Sequence, residues 1–364
     1  MTAGPPPAGG QPAGGQRRER LHWVDVAKAV AIVLVVLYHV GGAGMDRMFP
    51  DPGGHASGLW TRVNAALLPM RMPLFFLTAG LLAHRAVRRP WPVVWRGRVV
   101  VLMWPYLLWS VVFAAIAGFA YSPEDPAWYT VNHLQTLPFA GTAYWFLAIL
   151  TIFFVAAKLL RKWPATVLTV TLVLAVSAPY IEPVIAESFP EITTYAIIRV
   201  GRYAFWYFLG CYAYDAVERL AHVNPWPLVL GGGSAFVVMT YFSLAEGYDR
   251  PLAFALSVAG LTAAVGGSVV AVRAAPVRRV ARYVAARTLP IYLVHPLLVN
   301  LLVLAMVHLG GPLGPDETLA TWLAPVITLA CVVVSVVVYD RVSATRAAWI
   351  FAPPAMLTRE RRGR

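Results

Sequence analysis

The sequence is short of nearly everything that a water-soluble chain of 364 residues needs at its surface. Charged residues make up 13% of it, against roughly 25% in ordinary globular domains. Lysine is almost missing: of 30 basic residues, 27 are arginine and three are lysine. Acidic residues number 17. So little charge argues against a soluble globular enzyme. Cysteine occurs twice, as Cys211 and Cys331, each within an apolar run. That excludes a disulfide framework and a cysteine-built metal site, and both thiols read as packing residues. The net charge of +13 has no aromatic-interleaved basic segment beside it, which argues against a nucleic-acid partner. Repeats at a period of roughly 20 to 50 residues are lacking, so one domain is expected rather than an array.

What the chain has instead is apolar length. It is 59% hydrophobic, with a mean hydropathy of +0.64. Apolar runs of about 20 residues recur along it and predict an all-α, polytopic integral membrane protein. Ten spans are expected, at 21–43, 61–83, 98–120, 142–160, 164–181, 198–218, 226–245, 251–272, 281–307 and 319–343. Pro69 and Pro73 predict a kink or break in the second span, and Pro290 and Pro296 interrupt the ninth. With the N-terminus in the cytoplasm, 24 of the 30 basic residues fall on the inner side and 6 on the outer. That asymmetry supports cytoplasmic N- and C-termini. Residues 1–20 form a Gly/Pro-rich tail expected to be disordered. The late "RRER" and the long apolar run after it argue against a signal peptide. Residues 21–344 make the transmembrane domain, and 345–364 a basic cytoplasmic tail.

Polar residues inside these spans carry the functional signal. In "DVAKAVAIVLVVLYHV", Lys28 and His39 are eleven residues apart, three turns plus about 20° of α-helix, so they share one stripe about 16 Å long. Asp25 borders the same stripe. Alone, Lys28 could snorkel to the headgroups beside Asp25, and His39 could sit at an interface. Together they suggest a cavity, because ionisable residues in spans usually line one. A neutral imidazole there can serve as a general base near neutral pH. Asp25 is more than about 20 Å from His39 on an ideal helix, so the group orienting the imidazole must come from another span.

Further candidates follow along the chain. Arg71 lies in the bent section of span two. Arg96 and Arg98, in "WRGRVVVLMWPY", stand at the cytoplasmic mouth of span three, either as positive-inside residues or as phosphate ligands. Trp145 opens span four. Arg199 and Arg202 lie near the outer face against the charge trend, in a cavity or beside acidic residues such as Glu191. Tyr292 and His295 lie in span nine, next to Pro296.

These segments together resemble the acyltransferase family 3 membrane proteins, most closely the fucose 4-O-acetylase-like branch, over about Leu21 to Arg341. Lys28 and His39 match the spacing of the family's first-span basic residue and histidine. "MPLFFLTAGLL" is similar to its "MPLFFFLSG" segment, with Thr78 and Ala79 at the small-residue positions. "YWFLAIL" resembles its "WFL", and "IYLVHP" its "YLxHP". One departure stands out. Where the family often has Arg-x-x-Arg, this chain has Arg96-Gly97-Arg98, and a literal match, Arg85 to Arg88, lies earlier. The resemblance implies an O-acyltransferase that moves an acyl group, with acetyl expected, from cytoplasmic acetyl-CoA or another acyl-CoA. The acceptor is a hydroxyl of an envelope glycan, a glycolipid or a secreted small molecule, and the setting a multi-pass bacterial inner membrane. His39 would be the acyl-transfer residue, with Lys28 and Asp25 counted in the same catalytic set. Lys28, Arg96 and Arg98 would serve the donor, and Arg71, Trp145, Arg199, Arg202, Tyr292 and His295 the acceptor side. No metal is implied. The alternative is a transporter or lipid flippase using the same polar stripe.

Overall fold

The computed structural model describes residues 21–50, 58–247, 249–309, 311, 313–314 and 316–358. The N-terminal tail 1–20 and the last residues of the basic C-terminal tail lie outside them. Among the described residues there is no strand. The principal helices are α1 (His22–Met48), α2 (Gly58–Ala83), α3 (Trp91–Tyr121), α4 (Pro126–Gln135), α5 (Trp145–Leu159), α6 (Pro164–Ser188), α7 (Glu191–Tyr212), α8 (Tyr214–His222), α9 (Pro225–Glu246), α10 (Asp249–Ala271), α11 (Ala275–Ala285), α12 (Thr288–Leu309) and α13 (Glu317–Ser343). Eight are long and apolar enough to cross a membrane: α1, α2, α3, α6, α9, α10, α12 and α13. Two more occupy the fourth and sixth expected spans. α5 is apolar but has only 15 residues, and α7 carries Glu191, Arg199 and Arg202. The protein is a multi-pass helical membrane protein.

α1 lies at the centre, packed against α2, α10, α11, α12 and α13. Its buried face, Ala27, Ala31, Ile32, Val35 and Val36, repeats every three to four residues, as a helix buried on one side requires. α2 and α7 pack backbone to backbone. A Cβ added at Gly80 would run into the Tyr207 carbonyl, and one at Gly210 into the Leu77 carbonyl. α6 pairs with α7, and α9 with α10.

The structure departs from the expected elements in four places. α2 runs as one helix through Pro69 and Pro73 rather than breaking. The first span does not end at 43 but goes on to Met48, across a π-helical turn at Val40–Gly44. The ninth span splits between Ala285 and Thr288 into α11 and α12. Pro290 then falls in the first turn of α12, where its missing N–H costs nothing, and Pro296 stays inside the helix. Finally, the start of the basic C-terminal tail packs against the bundle. Arg346–Ile350 form a 3₁₀ turn docked on α3, with Trp104 Nε1 donating to the Trp349 carbonyl at 2.7 Å and Trp109 Nε1 to the Ile350 carbonyl at 2.8 Å.

Candidate functional site

Three cavities follow one another through the bundle. The first, of about 580 Å³, opens at the arginine-rich end and is lined by Asp25, Lys28, Arg85, Arg89, Arg98 and Tyr214. The second, of about 280 Å³, shares Lys28, Leu82 and Arg98 with it and is otherwise mostly apolar, with Thr78, Ala79 and Tyr207 on its wall. The third, of about 180 Å³, shares Phe75, Phe146 and Tyr292 with the second and contains His39, Arg71 and Arg199. Neighbouring cavities share wall residues, so the three lie in a row between Lys28 and His39, along the stripe that α1 presents. Tyr207 Oη is buried on the second cavity without a hydrogen-bond partner among the described residues.

His39 is the last residue of the regular part of α1; the π turn begins at Val40. Such turns are frequent at functional sites. His39 is half-buried and faces the third cavity. Its ring packs edge-on to Tyr38 at 5.1 Å. On the other side stands His295 of α12, with ring centroids 5.2 Å apart. His295 is wholly buried. Its Nδ1 lies 2.8 Å from the Ile291 carbonyl. A carbonyl can only accept, so Nδ1 is assigned the proton, and a neutral ring then leaves Nε2 as an acceptor. That nitrogen has no partner among the described residues. α12 is fixed at this height by the start of α5: Tyr144 Oη donates to the Leu293 carbonyl at 2.8 Å, and Tyr292 Oη to the Ala143 carbonyl at 3.2 Å.

Two guanidinium groups share the cavity with His39. Arg71 is 2% exposed, with Cζ 4.2 Å from the Tyr38 ring centroid. Arg199 Cζ lies 4.5 Å from the Trp145 ring, and its Nη1 donates to the Ala140 carbonyl at 2.8 Å. Burying a cation costs several kcal/mol, while a desolvated cation–π contact returns only about 2 kcal/mol. Arg202 is not brought to this cavity, despite lying three residues from Arg199. Glu182 of α6 takes it as an ion pair, and it lines a separate cavity of about 430 Å³ beyond the wall formed by Leu68 and Tyr203.

At the arginine-rich end, Lys28 Nζ donates to the Ala285 carbonyl at 3.0 Å, and Arg98 Nη2 to the Leu82 carbonyl at 3.2 Å. Arg96 lines neither the first nor the second cavity. Residues two apart on a helix do not share a face, and the π turn Trp95–Val99 aims only Arg98 at the mouth. Arg85 and Arg89 stand there beside Arg98, where the resemblance implied Arg96 and Arg98. The signal was present in the literal Arg-x-x-Arg, but only its first residue reaches the mouth. Arg88 faces another groove, with Lys158 and Arg161. Asp25 also lines the mouth, about 21 Å from His39 along the helix axis, so it does not meet the imidazole. Tyr292 and Trp145 both line the His39 cavity.

Fold and site thus define a multi-pass membrane protein with an imidazole pair at one end of a row of cavities and a basic mouth at the other. The chain belongs to acyltransferase family 3: the family model described as an acyltransferase domain matches residues 21–340. It is also 24% identical over 175 residues to the inner membrane protein YcfT of Escherichia coli (strain K12), a match covering 44% of this chain and 49% of that protein. The chain thus spans about half the length of the curated relative it matches. No solved structure matches it.

Proposed function

We propose that the protein moves an acyl group, acetyl by preference, from cytoplasmic acyl-CoA to a sugar hydroxyl on the far side of a bacterial inner membrane. The acceptor would be an envelope glycan, a glycolipid or a secreted metabolite. The observation that carries this reading is the row of cavities joining a mouth lined by Arg85, Arg89 and Arg98 to His39. Guanidinium groups suit the phosphates of the donor. The mostly apolar second cavity suits its extended arm, with Tyr207 Oη available to an amide. The arm also supplies what the distance from Lys28 to His39 demands, a carrier that spans about 16 Å of helix.

In this scheme His39 takes the proton of the acceptor hydroxyl as its oxygen bonds to the thioester carbonyl carbon. The carbon–sulfur bond breaks, and the proton passes from the imidazolium to the departing thiolate. His295, its own Nδ1 committed to the Ile291 carbonyl, holds the His39 ring in place. The test is transfer of label from acyl-CoA to a glycan by the purified protein. Uptake or flipping that needs no acyl-CoA, without any transfer, would overturn the scheme in favour of transport.

A further inference from the structure

The His39 cavity is unbalanced in charge. Arg71 and Arg199 both line it, and none of its lining residues is an aspartate or glutamate. Arg71 makes no hydrogen bond or ion pair with any described residue, and its buried Nη1 has no partner. Aromatic faces on Tyr38 and Trp145 offset part of the desolvation of each guanidinium but supply no countercharge. Among the described residues, the carboxylates nearest the site are engaged or distant. Glu182 pairs with Arg202 on the far side of Tyr203, Glu191 lies beside Tyr195 in the first turn of α7, and Asp25 is at the other end of α1. A buried guanidinium left without a carboxylate is a costly arrangement inside a membrane, and such residues mark substrate sites.

The geometry points to an anionic acceptor. The sugar that reaches His39 carries a carboxylate or phosphate group, which supplies the countercharge to Arg71 and Arg199. This inference rests on the acyltransferase reading for the identity of the ligand as acceptor, but not for its charge. The guanidinium fork fits the paired oxygens of either group. Recognition of this kind differs from stabilising charge that develops during transfer, because it acts on binding before any donor is present.

Binding to the full-length protein in lipid nanodiscs, without acyl-CoA, separates the cases. The probes are methyl glucuronide, glucose 1-phosphate and neutral methyl glucoside. At least one anionic probe is expected to bind ten-fold or more tightly than the glucoside; which one does so tells carboxylate from phosphate. Raising the salt concentration should weaken the anionic probe and leave the glucoside unchanged, a result that needs no variant to fold. Arg71→Gln and Arg199→Gln should each erase the preference, and Arg71→Lys should keep part of it. Equal binding of charged and neutral probes, or no binding of either anion, overturns the inference. Adding acyl-CoA afterwards tests transfer separately: a charge preference without transfer refutes the acyltransferase reading alone.

Discussion

His39 near the start of the chain and His295 near its end face each other across the bundle, their ring centroids 5.2 Å apart. Each comes from a helix fixed independently: α1 by its buried alanine and valine face, α12 by the Tyr144 and Tyr292 hydroxyls. Under the proposed mechanism one ring does the chemistry and the other holds it.

His295 is accordingly a positioning residue. His295→Leu is expected to lower kcat on the order of ten-fold, about 1.4 kcal/mol of barrier, with KM for acyl-CoA unchanged. His295→Gln, which keeps a polar atom near the Nε2 position, should recover part of the rate. A purely structural role would show instead as lost thermal stability with no difference between the two variants.

The mouth predicts a contrast between neighbouring arginines. Arg98→Ala should raise KM for acyl-CoA about ten-fold or more, since charge-assisted hydrogen bonds are worth about 1.5–3 kcal/mol. Arg85→Ala should act in the same direction. Arg96→Ala should leave KM near the wild-type value, because Arg96 does not line the mouth. Equal effects at Arg96 and Arg98 in steady-state kinetics would refute this assignment of the donor site.

The second cavity can be plugged. Ala79 faces it between Lys28 and His39, and Ala79→Trp should fill much of the passage. Transfer should then be lost while adenosine 3′,5′-bisphosphate, which carries donor phosphates without the arm, still binds at the mouth. Undiminished transfer in a folded Ala79→Trp protein would mean that the acyl group travels by another route.

The contact between α2 and α7 predicts a stability defect with no direct chemistry. Overpacking a tight core typically costs 1–3 kcal/mol, occasionally more. At Gly210 the obstacle is the Leu77 backbone itself, so Gly210→Val should fall at or above the upper end of that range. A thermal melt in detergent measures it.

Some of this was legible in the sequence and some was not. The stripe from Lys28 to His39 was, because helical spacing alone sets it and α1 is regular up to His39. The apolar runs gave the helices that cross the membrane. The pairing of His39 with His295 was not legible, since no local pattern links residues so far apart. Nor was the choice between Arg96 and Arg98, which depends on a π turn that apolar periodicity does not reveal. The split after Ala285 was hidden in a basic, alanine-rich stretch with no strong breaker before Pro290. Arg199 and Arg202 looked equivalent; only the position of Glu182 on α6 separates them.

The central claim is that His39 is the base for acyl transfer, and the most direct measurement is transfer of labelled acetyl from acetyl-CoA by purified wild-type and His39→Ala protein. General-base catalysis is worth about 10²–10⁴-fold. The account predicts a loss of that size in His39→Ala, with the thermal melt and donor binding unchanged. Wild-type rates in a folded His39→Ala protein would contradict it.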